Sequence, residues 1–141
     1  GNQIWRVDVG NLEGKDKNTY PGEGYAGKAI LEGQVAGAGW EDGLLRNAKF
    51  DNPHQICFTE DGKLYIADCG NNCIRVIDTK LPLDRAMVTT PIGLPGVKGY
   101  KDGGPDIALF NHPFGVAVSA DGQIVYVADT GNKVIRKLSI Q

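Results

Sequence analysis

Several polar residues of this sequence recur at spacings that could serve chemistry. Asp68 and Asp129 each end an apolar run, and Arg75 and Arg136 each follow seven residues later. A carboxylate can ligate a metal ion or act as a general base, and an arginine can bind an anion. Because the same residues occur in two copies, a structural role in turns and strand contacts is favoured. The predicted structural residues are Asp68, Asn71, Asp129, Asn132, Arg75 and Arg136.

The histidines and cysteines offer fewer chemical roles. His54 and His112 could hold Zn²⁺ with a third ligand, but the sequence contains only these 2 histidines, so a loop role is favoured. Cys69 and Cys73 could form a disulfide or half of a metal site, and unpaired thiols are the favoured interpretation. Cys57 is interpreted as a small core residue. Catalytic Gly-x-Ser-x-Gly and phosphate-binding glycine motifs are absent, so no catalytic residue and no metal ligand is assigned.

Charge and hydropathy exclude two classes of partner. The chain has 15 Lys and Arg against 17 Asp and Glu, and the two signs are interleaved. A nucleic-acid-binding surface would need a basic stripe, so we expect no nucleic-acid partner. No apolar run approaches the length that spans a bilayer, so no membrane span is expected.

These polar residues lie in an internal repeat of 60 to 61 residues. Gly-Trp-Glu-Asp-Gly at 39–43 returns as Gly-Tyr-Lys-Asp-Gly at 99–103, and Asp-Gly at 61–62 returns at 121–122. A third, partial copy opens the chain, where Gly1 to Arg6 aligns with Gly70 to Arg75. Gly33 and Gly93 share the offset of 60. Repeated units of this size usually bury their apolar faces against one another.

Each repeat predicts four short strands, here called A to D, and the 20 glycines suit the tight turns between them. The longest irregular stretch, 11–28, is predicted to be a solvated loop. The predicted strands are 3–9 and 29–35 in the opening copy, 54–59, 64–68, 73–78 and 86–92 in the complete copy, and 114–119, 124–129 and 134–140 in the last.

The pattern Phe-x-x-Pro, Asp-Gly, Leu/Val-Tyr-Ile/Val-Ala-Asp, Gly-Asn and Ile-Arg resembles the NHL repeat of β-propellers. The Gly-Trp-Glu-Asp-Gly and Asn-His-Pro segments are similar to bacterial cell-surface proteins that pair IPT/TIG domains with NHL propellers. The resemblance implies an all-β fold, a partial propeller of about two and a quarter four-stranded antiparallel blades. The expected divisions are 1–37 (strands C and D of one blade), 38–97 (a complete blade) and 98–141 (three strands of the last blade).

Two functions follow from this resemblance. The favoured one is a non-catalytic module that binds a protein or glycan within a larger, exported protein, at the cell surface, outside the cell or in the periplasm. The alternative is part of a hydrolase- or lyase-type propeller, for which Ca²⁺ or Zn²⁺ would be needed; otherwise no cofactor is expected. The rest of the ring, from the same or another chain, is an expected partner, because propellers need about four to eight blades. The candidate ligand contacts are Asn52, His54, Asn111, His112, Trp40 and Tyr100.

Overall fold

The computed structural model describes residues 2–7, 22–28 and 37–140, and its regular elements are nearly all strands. Two single 3₁₀ turns, Cys69–Asn71 and Thr130–Asn132, follow Asp68 and Asp129. The strands are β1 (Ile4–Val7), β2 (Gly22–Ala26), β3 (Gly43–Leu44), β4 (Pro53–Phe58), β5 (Lys63–Asp68), β6 (Cys73–Asp78), β7 (Met87–Ile92), β8 (Pro113–Val118), β9 (Ile124–Asp129) and β10 (Val134–Ser139).

The strands form three antiparallel sheets that correspond to the three repeat copies. The first blade contains β1 and β2, the middle blade has the order β3-β7-β6-β5-β4, and the last blade has the order β10-β9-β8. Tight turns at Gly62 and Gly122, both with positive φ, connect strands A and B of the middle and last blades. The prediction of an all-β, partial propeller with antiparallel blades is therefore confirmed.

Alternating side chains of the middle blade supply two separate hydrophobic cores. Leu64 and Ile66 of β5 point into a core shared with Ile4 and Ala26 of the first blade. Tyr65 and its neighbours on the opposite face point into a second core shared with the last blade, which contains Phe110 and Val127. Since both faces of β5 are buried, the middle blade is held between its two neighbours, as the repeat predicts.

The opening copy differs from the sequence prediction in two ways. β2 lies at Gly22–Ala26, inside the stretch predicted to be a solvated loop, and it pairs with β1. That part of the loop prediction is wrong, because Gly22 to Ala26 form a short strand there, with Ala26 buried. The predicted strand at 29–35 and its Gly33 lie outside the described residues.

Gly27 follows β2 with φ 112°, and its amide donates to the Leu45 carbonyl. Gly93 follows β7 with φ 87° and donates to Pro105, so Gly27 occupies the place assigned to Gly33.

The register of the opening copy also shifts by one residue. Ile4 is buried against the middle blade and pairs with Ala26, as Ile74 is buried against the last blade and pairs with Ile92. Ile4 therefore corresponds to Ile74, and Arg6 does not correspond to Arg75. Arg6 is instead exposed, with its guanidinium 5.8 Å from the centre of the Tyr25 ring. Within the described ranges, no helix is long and apolar enough to cross a membrane.

Candidate functional site

The A strands of the middle and last blades, β4 and β8, run side by side at the inner edges of their sheets. The rings of His54 and Phe114 stack across this boundary, with 3.9 Å between their centres and an angle of 30° between their planes. A Cβ on Gly115 would lie 2.6 Å from Oε1 of Gln55, so the missing side chain at residue 115 leaves room for the end of the Gln55 side chain at this boundary. The boundary between β4 and β8 therefore presents a stacked pair of rings at the sheet edge.

The connections that enter these strands lie against the turns between strands B and C. The amide of Gly70 donates to the Asp51 carbonyl at 2.8 Å, and the amide of Gly131 donates to the Asn111 carbonyl at the same distance. These bonds bring the Asp-Cys-Gly-Asn and Asp-Thr-Gly-Asn turns to the same end of the blades as Asn52 and His112. Loops of both blades therefore gather at one end of the two sheets.

The middle and last blades are each joined to the preceding blade by an asparagine side chain. The amide of Asn52 donates to Oδ1 of Asn2 at 2.8 Å, and the amide of His112 donates to Oδ1 of Asn72 at 2.9 Å. Asn52 and His112 both have left-handed backbones, with φ 53° and 51°. Asparagine and histidine both adopt this conformation more often than most other residues do, and the hydrogen bond to Asn72 helps to hold His112 in it.

The His112 ring is exposed, and its orientation is set locally. Nδ1 of His112 lies 2.6 Å from Oδ1 of Asn111, a hydrogen-bond distance. His54 is exposed as well, and its ring is placed by the stack on Phe114. We call Asn52, His54, Asn111, His112 and Phe114 the inner cluster. Non-glycine residues with positive φ, such as Asn52 and His112, are concentrated at functional sites. The inner cluster also exposes ring faces, ring nitrogens and amide groups that a ligand can contact.

Trp40 and Tyr100 belong to a different part of each blade. Nε1 of Trp40 donates to Oγ1 of Thr90 on β7, and the Trp40 ring lies 5.9 Å from the Arg75 guanidinium. The Tyr100 ring lies 4.7 Å from the Arg136 guanidinium. Both aromatics therefore pack over strand C, whereas the inner cluster lies at the start of strand A and in the connection before it. Four of the six candidate contacts thus lie in or just before the two A strands, and these two lie elsewhere.

The predicted structural residues form one hydrogen-bonded network in the middle blade. Nη1 of Arg75 donates to Oδ2 of Asp68 and to the Lys49 carbonyl, both at 2.7 Å. Asn71 donates to the same carboxylate oxygen, while the Asp51 amide donates to its other oxygen. Burial raises the pKa of the Asp68 carboxyl above its ordinary value, and these donors oppose the rise. The carboxylate is thus committed to structural bonds.

The last blade repeats this network with equivalent residues. Nη1 of Arg136 donates to Asp129 at 2.9 Å, and Asn132 donates to the same oxygen at 2.8 Å. The amide of Asn111 donates to Oδ1 of Asp129 at 2.8 Å. Asp129 therefore connects the B–C turn to the loop that carries the inner cluster.

Sequence reasoning missed one member of each network. Nη2 of Arg75 donates to Oδ1 of Asp42, and Nη2 of Arg136 donates to Oδ1 of Asp102, both at 2.9 Å. The sequence analysis assigns no partner to Asp42 or Asp102. The available signal was that these carboxylates recur in both copies, 60 residues apart, as the arginines recur 61 residues apart.

The described parts of the chain contain no group of side chains suited to metal binding, and their cysteines are free thiols. No three His, Cys, Asp or Glu side chains there lie close enough to hold a metal ion. Cys69 and Cys73 are buried free thiols, and Cys57 is a half-buried free thiol that packs against the second core. Burial raises the pKa values of both the Cys69 and Cys73 thiols, which keeps them protonated and weakly nucleophilic.

Comparison with known proteins identifies similar sequences. Residues 50–77 match a family model described as NHL repeat. NHL repeat-containing protein 2 from Gallus gallus is 33% identical over 101 residues, which cover 71% of this chain and 13% of that protein. Protein SUPPRESSOR OF QUENCHING 1, chloroplastic, from Arabidopsis thaliana is 30% identical over 102 residues, which cover 72% of this chain and 9% of that protein.

A similar solved structure is described as an auxiliary nutrient binding protein from Bacteroides thetaiotaomicron. It is 27% identical with a TM-score of 0.73, and the match covers 96% of this chain and 32% of that one. The chain spans about a tenth of the two curated relatives and about a third of this solved structure.

Proposed function

We propose that this chain, which belongs to the NHL-repeat family of β-propellers, is part of a non-catalytic module that binds a protein or glycan ligand at the inner cluster. The observation that carries the proposal is the geometry of His54 and His112. Both rings are exposed at one end of the blades, one stacked on Phe114 and the other held on a left-handed backbone. An aromatic face beside amide groups suits a ligand that offers both apolar and hydrogen-bonding edges.

The similar structure from Bacteroides thetaiotaomicron supports binding rather than catalysis. Its description as an auxiliary nutrient binding protein applies to that protein, and we transfer only the general role of ligand capture. Nutrient capture by a bacterium takes place outside the cytoplasm, so we propose an extracellular, cell-surface or periplasmic location for the protein that carries this chain.

Exposed side chains on the last blade support a further blade as partner. Tyr65 is 6% exposed and Ile74 is fully buried against the last blade. Their equivalents, Tyr126 and Ile135, are 41% and 69% exposed. Apolar surface of this kind is normally covered, and we propose that the rest of the ring covers it.

The repeat itself offers matched variants to test the binding site. His54 is equivalent to Phe114, and His112 is equivalent to Asn52. The double variant His54→Phe, His112→Asn keeps the ring stack and a residue that tolerates left-handed backbone, but it removes both imidazoles. We expect the intact protein to bind members of a glycan microarray or a surface protein, and the double variant to lose that binding at unchanged melting temperature.

Two outcomes would contradict the proposal. If the double variant retains all binding of the unaltered protein, the inner cluster is not the site. The module is an enzyme if the intact protein contains stoichiometric Ca²⁺ or Zn²⁺ by elemental analysis and turns over a substrate, and if this turnover is lost when the metal is removed.

A further inference from the structure

Gln55 of β4 brings to the boundary between β4 and β8 a polar group that the inner cluster does not include. A Cβ built on Gly115 would lie 2.6 Å from Oε1 of Gln55 and 3.5 Å from its Cδ atom. Gly115 is buried, whereas Gln55 is exposed. The Gln55 carboxamide therefore rests against the backbone of β8 and stays accessible to solvent.

An irregularity in β4 aims two consecutive side chains at the same neighbour. In a regular strand, consecutive side chains point to opposite faces of the sheet. Here the His54 ring stacks on Phe114 and the end of Gln55 reaches Gly115, so both side chains contact β8. The pairing of β4 with β5 shifts its register between residues 53 and 56, the segment that contains both side chains. Such irregularities re-aim side chains and are frequent next to active sites.

The fold makes no use of the Gln55 carboxamide. Within the described ranges, no protein group forms a hydrogen bond with it, although a carboxamide has two N–H donors and an acceptor oxygen. The residues that hold each blade together recur in both copies, as Asp68 and Asp129 do, whereas the equivalent of Gln55 is Gly115. The repeat therefore does not require this side chain, and its polar atoms are free to bind a ligand.

The side chains around Gln55 favour an uncharged ligand that has an apolar face. Phe114 is 39% exposed beside them, and neither Gln55 nor any member of the inner cluster is an Asp, Glu, Lys or Arg. A sugar ring combines a C–H face, which packs on an aromatic ring, with hydroxyl groups that both donate and accept hydrogen bonds. A carboxamide can bond two adjacent hydroxyls at once, because it donates to one and accepts from the other.

We propose that Gln55 is a ligand-binding residue and that the ligand of the inner cluster is a neutral glycan. One sugar ring packs on the His54–Phe114 pair, and the Gln55 carboxamide bonds two of its adjacent hydroxyls. Gly115 is a positioning residue, because its missing side chain leaves the space that the end of Gln55 occupies. This inference rests on the proposed function and adds to it a residue and a ligand class.

The first test combines a ligand screen with a substitution of Gln55. The intact protein is applied to a microarray of neutral oligosaccharides of glucose, mannose, galactose and xylose, beside glycans that contain uronic or sialic acid and beside peptides. Calorimetric titration with the best-bound neutral oligosaccharide then gives Kd. Gln55→Ala should weaken Kd by about 5-fold or more, as expected for two lost hydrogen bonds between uncharged groups, at unchanged melting temperature. Gln123→Ala alters an exposed glutamine at the other end of β8 and is the matched control, which should keep full affinity.

A second substitution tests the role of Gly115. Its φ lies outside the left-handed region, so the backbone accepts alanine there, but the added Cβ would displace the end of Gln55. Gly115→Ala should weaken Kd in the unaltered protein and should have no further effect in the Gln55→Ala background. A purely structural effect of Gly115→Ala would appear equally in both backgrounds, and that result would contradict the positioning role.

The remaining outcomes separate this inference from the proposed function. If Gln55→Ala binds within twofold of the unaltered protein while the double variant His54→Phe, His112→Asn has lost binding, Gln55 is not a contact and the proposed function stands. If the double variant retains full binding, the proposed function itself is wrong. Binding to acidic glycans or peptides without binding to any neutral oligosaccharide would overturn the ligand class.

Discussion

Nη1 of Arg75 donates a 2.7 Å hydrogen bond to Oδ2 of Asp68, and both side chains are fully buried. The pair spans the B–C turn of the middle blade and is repeated by Arg136 and Asp129 in the last blade at 2.9 Å. Through the backbone amides of Asp51 and Asn111, the two carboxylates also hold the loops that lead to the inner cluster. The same carboxylates therefore stabilise the turns and position the loops of the proposed ligand site.

Removing the carboxylate of the buried pair should destabilise the protein strongly. Asp68→Ala takes from the buried Arg75 guanidinium one of its two carboxylate partners and leaves it with Asp42. Removing one partner of a buried ion pair costs up to about 3–5 kcal/mol. The free energy of unfolding from urea titration measures the effect. Asp84→Ala removes an exposed carboxylate and should change this free energy by less than about 0.5 kcal/mol. A cost for Asp68→Ala as small as that of the control would show that the pair contributes little.

The close approach of turn and loop predicts a second sensitive position. A Cβ on Gly131 would overlap the Asn111 side chain and carbonyl, just as one on Gly70 would overlap the Asp51 carboxyl group. We expect Gly131→Ala to displace the loop that carries His112, to lower the melting temperature by several degrees and to weaken ligand binding. Gly24→Ala, where the added atom would meet only Nε2 of Gln3 at 3.9 Å, should leave both unchanged. Equal effects of the two substitutions would contradict this account of the loop.

The repeat explains why so much of the fold could be predicted. Two copies at a constant offset predict the same strands twice, and seven of the predicted strands agree with β4 to β10 to within a residue or two. The opening copy could not be placed as well, because its short motif at Gly1 to Arg6 permits alignments one residue apart. Burial of Ile4 against the middle blade fixes the alignment of the opening copy with the other two. This is a tertiary contact, and the short motif alone does not predict it.

The candidate site was only partly predictable for a related reason. Strand order alone indicates that Asn52, His54, Asn111 and His112 share one end of the blades. It does not indicate which aromatics lie beside them. Phe114 stacks on His54 across two blades, whereas Trp40 turns toward Thr90 and Arg75 within its own blade. Packing between strands far apart in sequence determines both outcomes.

Trp40 is expected to act on stability rather than on ligand binding. Its ring covers Arg75, and its Nε1 bonds to Thr90, which in turn bonds to Asp42. Trp40→Ala should therefore lower the free energy of unfolding by about 1–3 kcal/mol, while ligand affinity at the inner cluster stays within twofold. Calorimetric titration and urea unfolding of the same variant separate the two effects. A loss of affinity without a loss of stability would place Trp40 in the ligand site.

The buried thiol of Cys73 should make the protein less stable in alkali. Burial, with a smaller contribution from the Asp68 charge, raises its pKa above the value of 9.0 that applies to an exposed thiol. The folded state thus binds the thiol proton more tightly than the unfolded state does. The resulting stability is fully present below pH 9 and is lost as the pH rises from there toward the folded-state pKa.

The variant Cys73→Ala isolates this dependence. Its unfolding free energy is measured by urea titration from pH 7 to pH 10.5 and is subtracted from that of the unaltered protein. The difference at pH 7 reports the cavity left by the sulfur. Above pH 9 the difference should fall with a slope that approaches about 1.4 kcal/mol per pH unit. A difference that stays constant to pH 10.5 would show that the thiol ionises as readily in the folded state as in the unfolded one.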